Sequence, residues 1–115
     1  MKTSRREDVR LLVALRAEAA KYDTINELKM SRCTAFIVHG RIIACAGDNL
    51  IALKLPELSV TALLHTPDSR RFQPYGRASL RHWVAFAETS AAFGSLEQLF
   101  EEAVAFALES EGDKR

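Results

Sequence analysis

The sequence predicts an α+β fold, an antiparallel sheet with helices packed on it, in the order α-β-β-β-α-β-β-α. Three observations carry this. Apolar residues recur at three-and-four spacing near both chain ends, as amphipathic helices require. Between residues 33 and 55 the chain turns rich in β-branched and aromatic side chains, cut into short runs by His39-Gly40 and Gly47-Asp48-Asn49. The 115 residues suit one core, so a single domain is expected over 1–115, with its ordered part at about 5–110.

The first helix is predicted from Ser4 to about Tyr22, on the stripe Leu12, Leu15, Ala19, Tyr22. Ser4 is the candidate cap, and Glu7 completes an S-x-x-E capping box. Residues 23–30 are polar and read as a connection. If His39-Gly40 and Asp48-Asn49 are two-residue loops, the next three strands pair Val38 with Arg41, Ile37 with Ile42, Ala35 with Ala44, Ala44 with Leu53, and Ile42 with Leu55. Period-two alternation then puts Cys33, Ala35, Ile37, Ile42, Ala44, Ala46, Ile51, Leu53 and Leu55 on one wholly apolar face. The other face carries Thr34, Phe36, Val38, Arg41, Ile43, Cys45, Leu50, Ala52 and Lys54, a mixed set.

Pro56-Glu57 opens a short helix through Leu58, Leu63 and Leu64, since proline suits a first turn, and Thr66-Pro67-Asp68 ends it. The stretch from Ser69 to Arg81 contains Pro74 and Gly76 and supports one short edge strand near Phe72. His82 to Phe86 reads as the fifth strand, with Trp83 expected to be buried against the sheet and a helix. Ser95 and Gln98 form a second capping box, ahead of a closing helix with the stripe Leu96, Leu99, Phe100, Ala103, Phe106, Ala107. Its end, 109–115, is charged and expected to fray.

A composition of 48% hydrophobic and 27% charged residues is that of a globular chain, and a formal net charge of +1 gives no global field for nucleic acid or membrane. The longest apolar runs, such as Ile42 to Cys45, fall far short of the roughly 20 residues that span a bilayer. Met1 to Arg6 carries charge where a secretory signal would be apolar, so a cytoplasmic protein is expected, with no membrane partner. In that compartment Cys33 and Cys45 are expected as reduced core residues, although they could in principle pair.

The order of these elements carries a pattern that resembles the N-terminal domain family of the competence regulator TfoX/Sxy. The residues are Lys29-Met30 before the first strand, Gly40-Arg41-Ile42-Ile43-Ala44, Leu50 to Lys54 with Leu55-Pro56, Phe72-Gln73-Pro74-Tyr75-Gly76-Arg77, and Trp83. The resemblance covers about residue 8 to residue 108. It departs where the family commonly has Phe-Gly-Gly after the methionine and this chain has Ser31-Arg32-Cys33. The resemblance implies an antiparallel sheet with helices on it, shared with the YjbR-like and secretion-chaperone-like group, and a role in transcriptional regulation. It also implies a stand-alone N-domain, because the second, C-terminal domain of the regulators is expected to be missing. The family carries no established catalytic residues, so none is transferred.

The residues themselves offer no catalytic or metal constellation. His39 falls in a turn, His65 at a helix end, His82 beside the tryptophan, and no two lie at i,i+4 spacing. There is no G-x-S-x-G, P-loop or G-x-G-x-x-G. A non-enzymatic interaction module without cofactor or metal is therefore expected, acting on a protein partner not identified by the sequence. The basic run Lys2, Arg5, Arg6, Arg10 reads as a solvated helix end.

Two surfaces stand out. Arg70, Arg71, Tyr75, Arg77 and Arg81 interleave with Phe72, His82 and Trp83 around a Pro-Gly bend, a mix that can hold phosphate and stack on bases. Nucleic-acid binding there is the alternative to protein contact, with an acidic surface such as Glu97, Glu101, Glu102 and Glu109 the other candidate partner. The second surface is the mixed sheet face, where Phe36, Val38, Ile43 and Leu50 are expected to form an exposed apolar patch that joins two copies into a homodimer.

Overall fold

The computed structural model describes residues 2–30, 33–47, 49–72 and 80–113, and the side chains of 2–9, 80 and 110–113 lie outside that description. Helix α1 (Lys2–Ala19) is followed by strands β1 (Ile25–Lys29), β2 (Thr34–Val38), β3 (Arg41–Gly47) and β4 (Leu50–Lys54). Helix α2 (Glu57–Leu64), strand β5 (Ser69–Arg71) and strand β6 (Trp83–Phe86), the last entered through a 3₁₀ turn at Leu80–His82, come next. A second 3₁₀ turn at Ala91–Ser95 leads into the closing helix α3 (Leu96–Asp113). The strands form one sheet in the order β1-β2-β3-β4-β6-β5, antiparallel at every pairing. The α+β class expected from the sequence is the class observed.

The sheet has six strands where five are predicted. The extra one is β1, in the segment read as a polar connection. Ile25-Asn26-Glu27-Leu28-Lys29 lacks apolar alternation, and four of its five residues are exposed. It is a strand because β2 offers it a backbone edge, with five residues pairing from Ile25↔Val38 to Lys29↔Thr34. Its charged side chains suit an edge that must not recruit other chains. At the N-terminus the helix already runs through residue 4, so Ser4 stands inside α1 and not at its cap. At the other end the capping hydroxyl observed is that of Ser90, which accepts from the Ala92 amide at 3.1 Å, one 3₁₀ turn before the predicted box.

Both hairpin loops fall where the turn residues put them. His39 and Gly40 take φ of 50° and 80°, the left-handed pair a two-residue hairpin needs, and Val38 opposes Arg41 and Ile37 opposes Ile42. Gly47 opposes Leu50 across the second loop, with Asn49 at φ 58°, and Ala44 opposes Leu53.

The predicted pairing of Ala35 with Ala44 is corrected by a β-bulge. Phe36 faces Ala44, Ile37 faces Ile42, and Ile43 is the extra residue between them, so Ala35 pairs with Cys45. An unpaired residue in one strand shifts the alternation beyond it. Phe36 and Val38 therefore share a face with Ala44, Ala46, Ile51 and Leu53, and Ala35 joins Cys45 and Ala52 on the other. The predicted partition is right for β4 and the end of β3, and inverted for β2.

Helix-covered and helix-free faces follow from this. The large core holds Phe36, Val38, Ile43, Ile51, Leu53, Leu55, Val84 and Phe86 of the sheet. Against it lie Leu11 and Leu15 of α1, Val60 of α2, and Phe100, Ala103 and Val104 of α3. Strands with β-branched and aromatic residues on one face and amphipathic helices over them bury most of the apolar surface here.

Candidate interaction surface

The second face begins as a row of side chains crossing the sheet. The pairings place Leu28, Ala35, Cys45, Ala52, Ala85 and Arg70 side by side, one from each strand. The four central positions carry small side chains, which make room for one large one. Trp83, on β6 and two residues from Ala85, is 2% exposed and clusters with Ala35, Cys45, Ala52 and Ala85. The Phe72 ring lies 6.1 Å from the Trp83 ring, tilted at 55°, a favourable aromatic arrangement. Among the described residues this cluster draws on strands and loops only, so Trp83 is buried as expected but not against a helix.

Towards β1 the same face opens. Leu28 is 49% exposed, and Ile37, Ile42 and Leu50 are half-buried. Leu28, Ile37 and Ile42 make an apolar strip over β1 to β3, while Leu50, opposite Gly47, stands at the far end of the β3–β4 ladder. The patch expected from the sequence is otherwise misplaced. Phe36, Val38 and Ile43 are fully buried beneath the helices, because the bulge turns β2 over, and only Leu50 of the four is on the open face. Sequence reasoning missed Leu28 because a polar context hid the strand, and missed Ile37 and Ile42 because it assumed an uninterrupted β3. The signal available was the run Ile42-Ile43-Ala44-Cys45-Ala46, five apolar residues that no single alternating strand explains.

Of the basic and aromatic candidates, Arg70 and Arg71 are exposed on the edge strand β5, and Arg81 is exposed on the 3₁₀ turn. Arg70 sits at the end of the small-residue row, and Arg71 pairs with Val84 on the opposite face, so adjacent arginines point to different sides of the sheet. Tyr75 and Arg77 lie outside the described residues.

The remaining polar groups satisfy local structure. The His65 Nδ1 lies 2.9 Å from the Thr61 carbonyl at the end of α2, and the His82 Nδ1 3.1 Å from the Leu55 carbonyl, with its ring 5.1 Å from that of Phe106 and tilted at 39° to it. A hydroxyl chain, Thr66 to Ser69 at 2.7 Å and Ser69 to Ser90 at 3.3 Å, ties the end of α2 to β5 and the loop after β6. Arg10 pairs with Glu88 at 2.6 Å beside a cleft of about 190 Å³ lined by Leu11, Asn49, Ala87 and Thr89. Arg16 donates two hydrogen bonds to Glu27 of β1, which hold its guanidinium above its ordinary value. Among the described residues no three metal-ligating side chains converge, and no helix is long and apolar enough to cross a membrane.

Comparison with known proteins adds no relative: no family model, no curated protein and no solved structure matches the chain.

Proposed function

We propose that this chain is a non-enzymatic interaction module of the kind the TfoX N-terminal resemblance implies, acting in the cytoplasm as a homodimer joined through the open strip of its second sheet face. The observation that carries the proposal is the strip itself. Leu28, at 49% exposure, extends the half-buried Ile37 and Ile42 into one apolar surface next to a strand edge. Such a patch on a small chain favours association, and a two-fold axis lets one surface serve both partners. The role in transcriptional regulation is proposed with the resemblance and rests on it. Light scattering over a micromolar concentration range tests the dimer: a mass of twice 12.8 kDa is expected, and 12.8 kDa throughout contradicts it.

A second reading is favoured by the exposure of Arg70, Arg71 and Arg81 at one end of the sheet. Together these arginines form a basic edge that suits phosphates. If this edge binds nucleic acid, DNA is retained at about 50 mM salt and released steeply as salt rises. Absence of retention at that salt removes the reading.

A further inference from the structure

Cys33 and Cys45 occupy the same face of the sheet. Cys45 pairs with Ala35 in the β2–β3 ladder, and Cys33 lies two residues before Ala35, so alternation brings both sulfurs to the helix-free side. Cys33 packs against the cluster to which Cys45 belongs. Its carbonyl accepts the Met30 amide at 2.8 Å, which closes the β1–β2 turn and fixes where Cys33 stands. The two cysteines also differ in access, Cys33 being half-exposed and Cys45 only 2% exposed.

We propose that Cys33 and Cys45 are a thiol pair that a peroxide closes into an intrachain disulfide, stapling the β1–β2 turn to the middle of β3. The accessible sulfur reacts first. The Cys33 thiolate attacks one peroxide oxygen, the O–O bond breaks, hydroxide leaves, and Cys33 becomes a sulfenic acid. The Cys45 sulfur then attacks the Cys33 sulfur, the S–O bond breaks, and the Cys45 proton leaves with the hydroxyl as water. Two thiols are oxidised to one disulfide and the peroxide is reduced to two waters. Burial, followed by the charge of Cys33 and a hydrogen bond with it, holds the Cys45 proton above the ordinary thiol range. The packing of Cys33 against the cluster that holds Cys45 places the resolving sulfur near the site of the first step, and the burial of Cys45 keeps it from reacting alone. The staple stands on the pairing of β2 with β3 and holds whether or not the second face joins two copies.

The test treats the reduced full chain with about one equivalent of hydrogen peroxide, then alkylates in denaturant and reads intact mass and cross-linked peptides. A loss of about 2 Da is expected, with the Cys33 and Cys45 peptides joined within one chain and neither sulfur alkylated. Closure is expected at least about tenfold faster in the folded chain than in urea, because the fold positions the pair. In Cys45→Ala, the sulfenic acid is expected to persist at Cys33, where dimedone traps it. Three results overturn the proposal: a disulfide between two chains, Cys33 oxidised while Cys45 remains alkylatable in the wild-type chain, or closure no faster folded than unfolded.

Discussion

Trp83 is 2% exposed on a face where, among the described residues, its cluster includes no helix, and its neighbours Ala35, Cys45, Ala52 and Ala85 are all small. One bulky ring set over a floor of small side chains leaves a void that the small floor itself cannot fill. Trp83→Ala is therefore expected to cost roughly 3 to 5 kcal/mol in a urea titration, and a cost under about 1 kcal/mol contradicts the packing described. Cys45 makes a second test possible. Its thiol is raised above the ordinary 9.0, chiefly by burial, so the folded chain keeps a proton that the unfolded chain releases. The stability this gives is full below the ordinary value and is lost progressively as pH rises from there towards the raised value of the folded chain. The urea midpoint is expected to fall between about pH 8 and about pH 10, and to fall less in Cys45→Ala. Some decline remains in that variant, because Tyr22, raised above 10.0 mainly by burial, acts in the same direction. The burial of Trp83 was legible from its being the only tryptophan and following the Pro-Gly bend. Its floor was not, because the four small residues come together only through cross-strand register.

Strand β3 shows where a local pattern misleads. The turn residues at 39–40 and 48–49 determine both loops, and with them three of the five predicted pairings, since left-handed φ at His39, Gly40 and Asn49 leaves few ways to reverse the chain. The bulge at Ile43 lies between those loops and depends on what the helices need to bury. It puts Phe36 and Val38 in the core beneath the helices, a gain no single-strand pattern contains. The strand β1 was invisible for a related reason, its pairing being supplied by β2 and not by its own side chains. Edge strands with exposed backbone open most easily. Hydrogen exchange is expected to be fastest along β1 and slowest in β3 and β4, which are paired on both sides. Protection of β1 equal to that of β4 at low concentration contradicts its place at the edge.

For the molecule as a whole, the α+β class was legible from helical stripes at both ends of a strand-rich middle, and the helices do gather on one face of the sheet. The chain's exposed chemistry was less so: which residues face out depends on one inserted residue, and Tyr75 and Arg77 lie outside the described residues. Which side of β2 is covered therefore decides what the molecule presents to a partner. Charge substitutions on its two faces separate the alternatives, read by solution mass together with circular dichroism. Leu28→Glu is expected to stay folded and to have a mass of 12.8 kDa where the unaltered chain has twice that, whereas Phe36→Glu is expected to lose its fold. A folded, monomeric Phe36→Glu beside a Leu28→Glu that still dimerises would contradict both the buried face and the proposed interface.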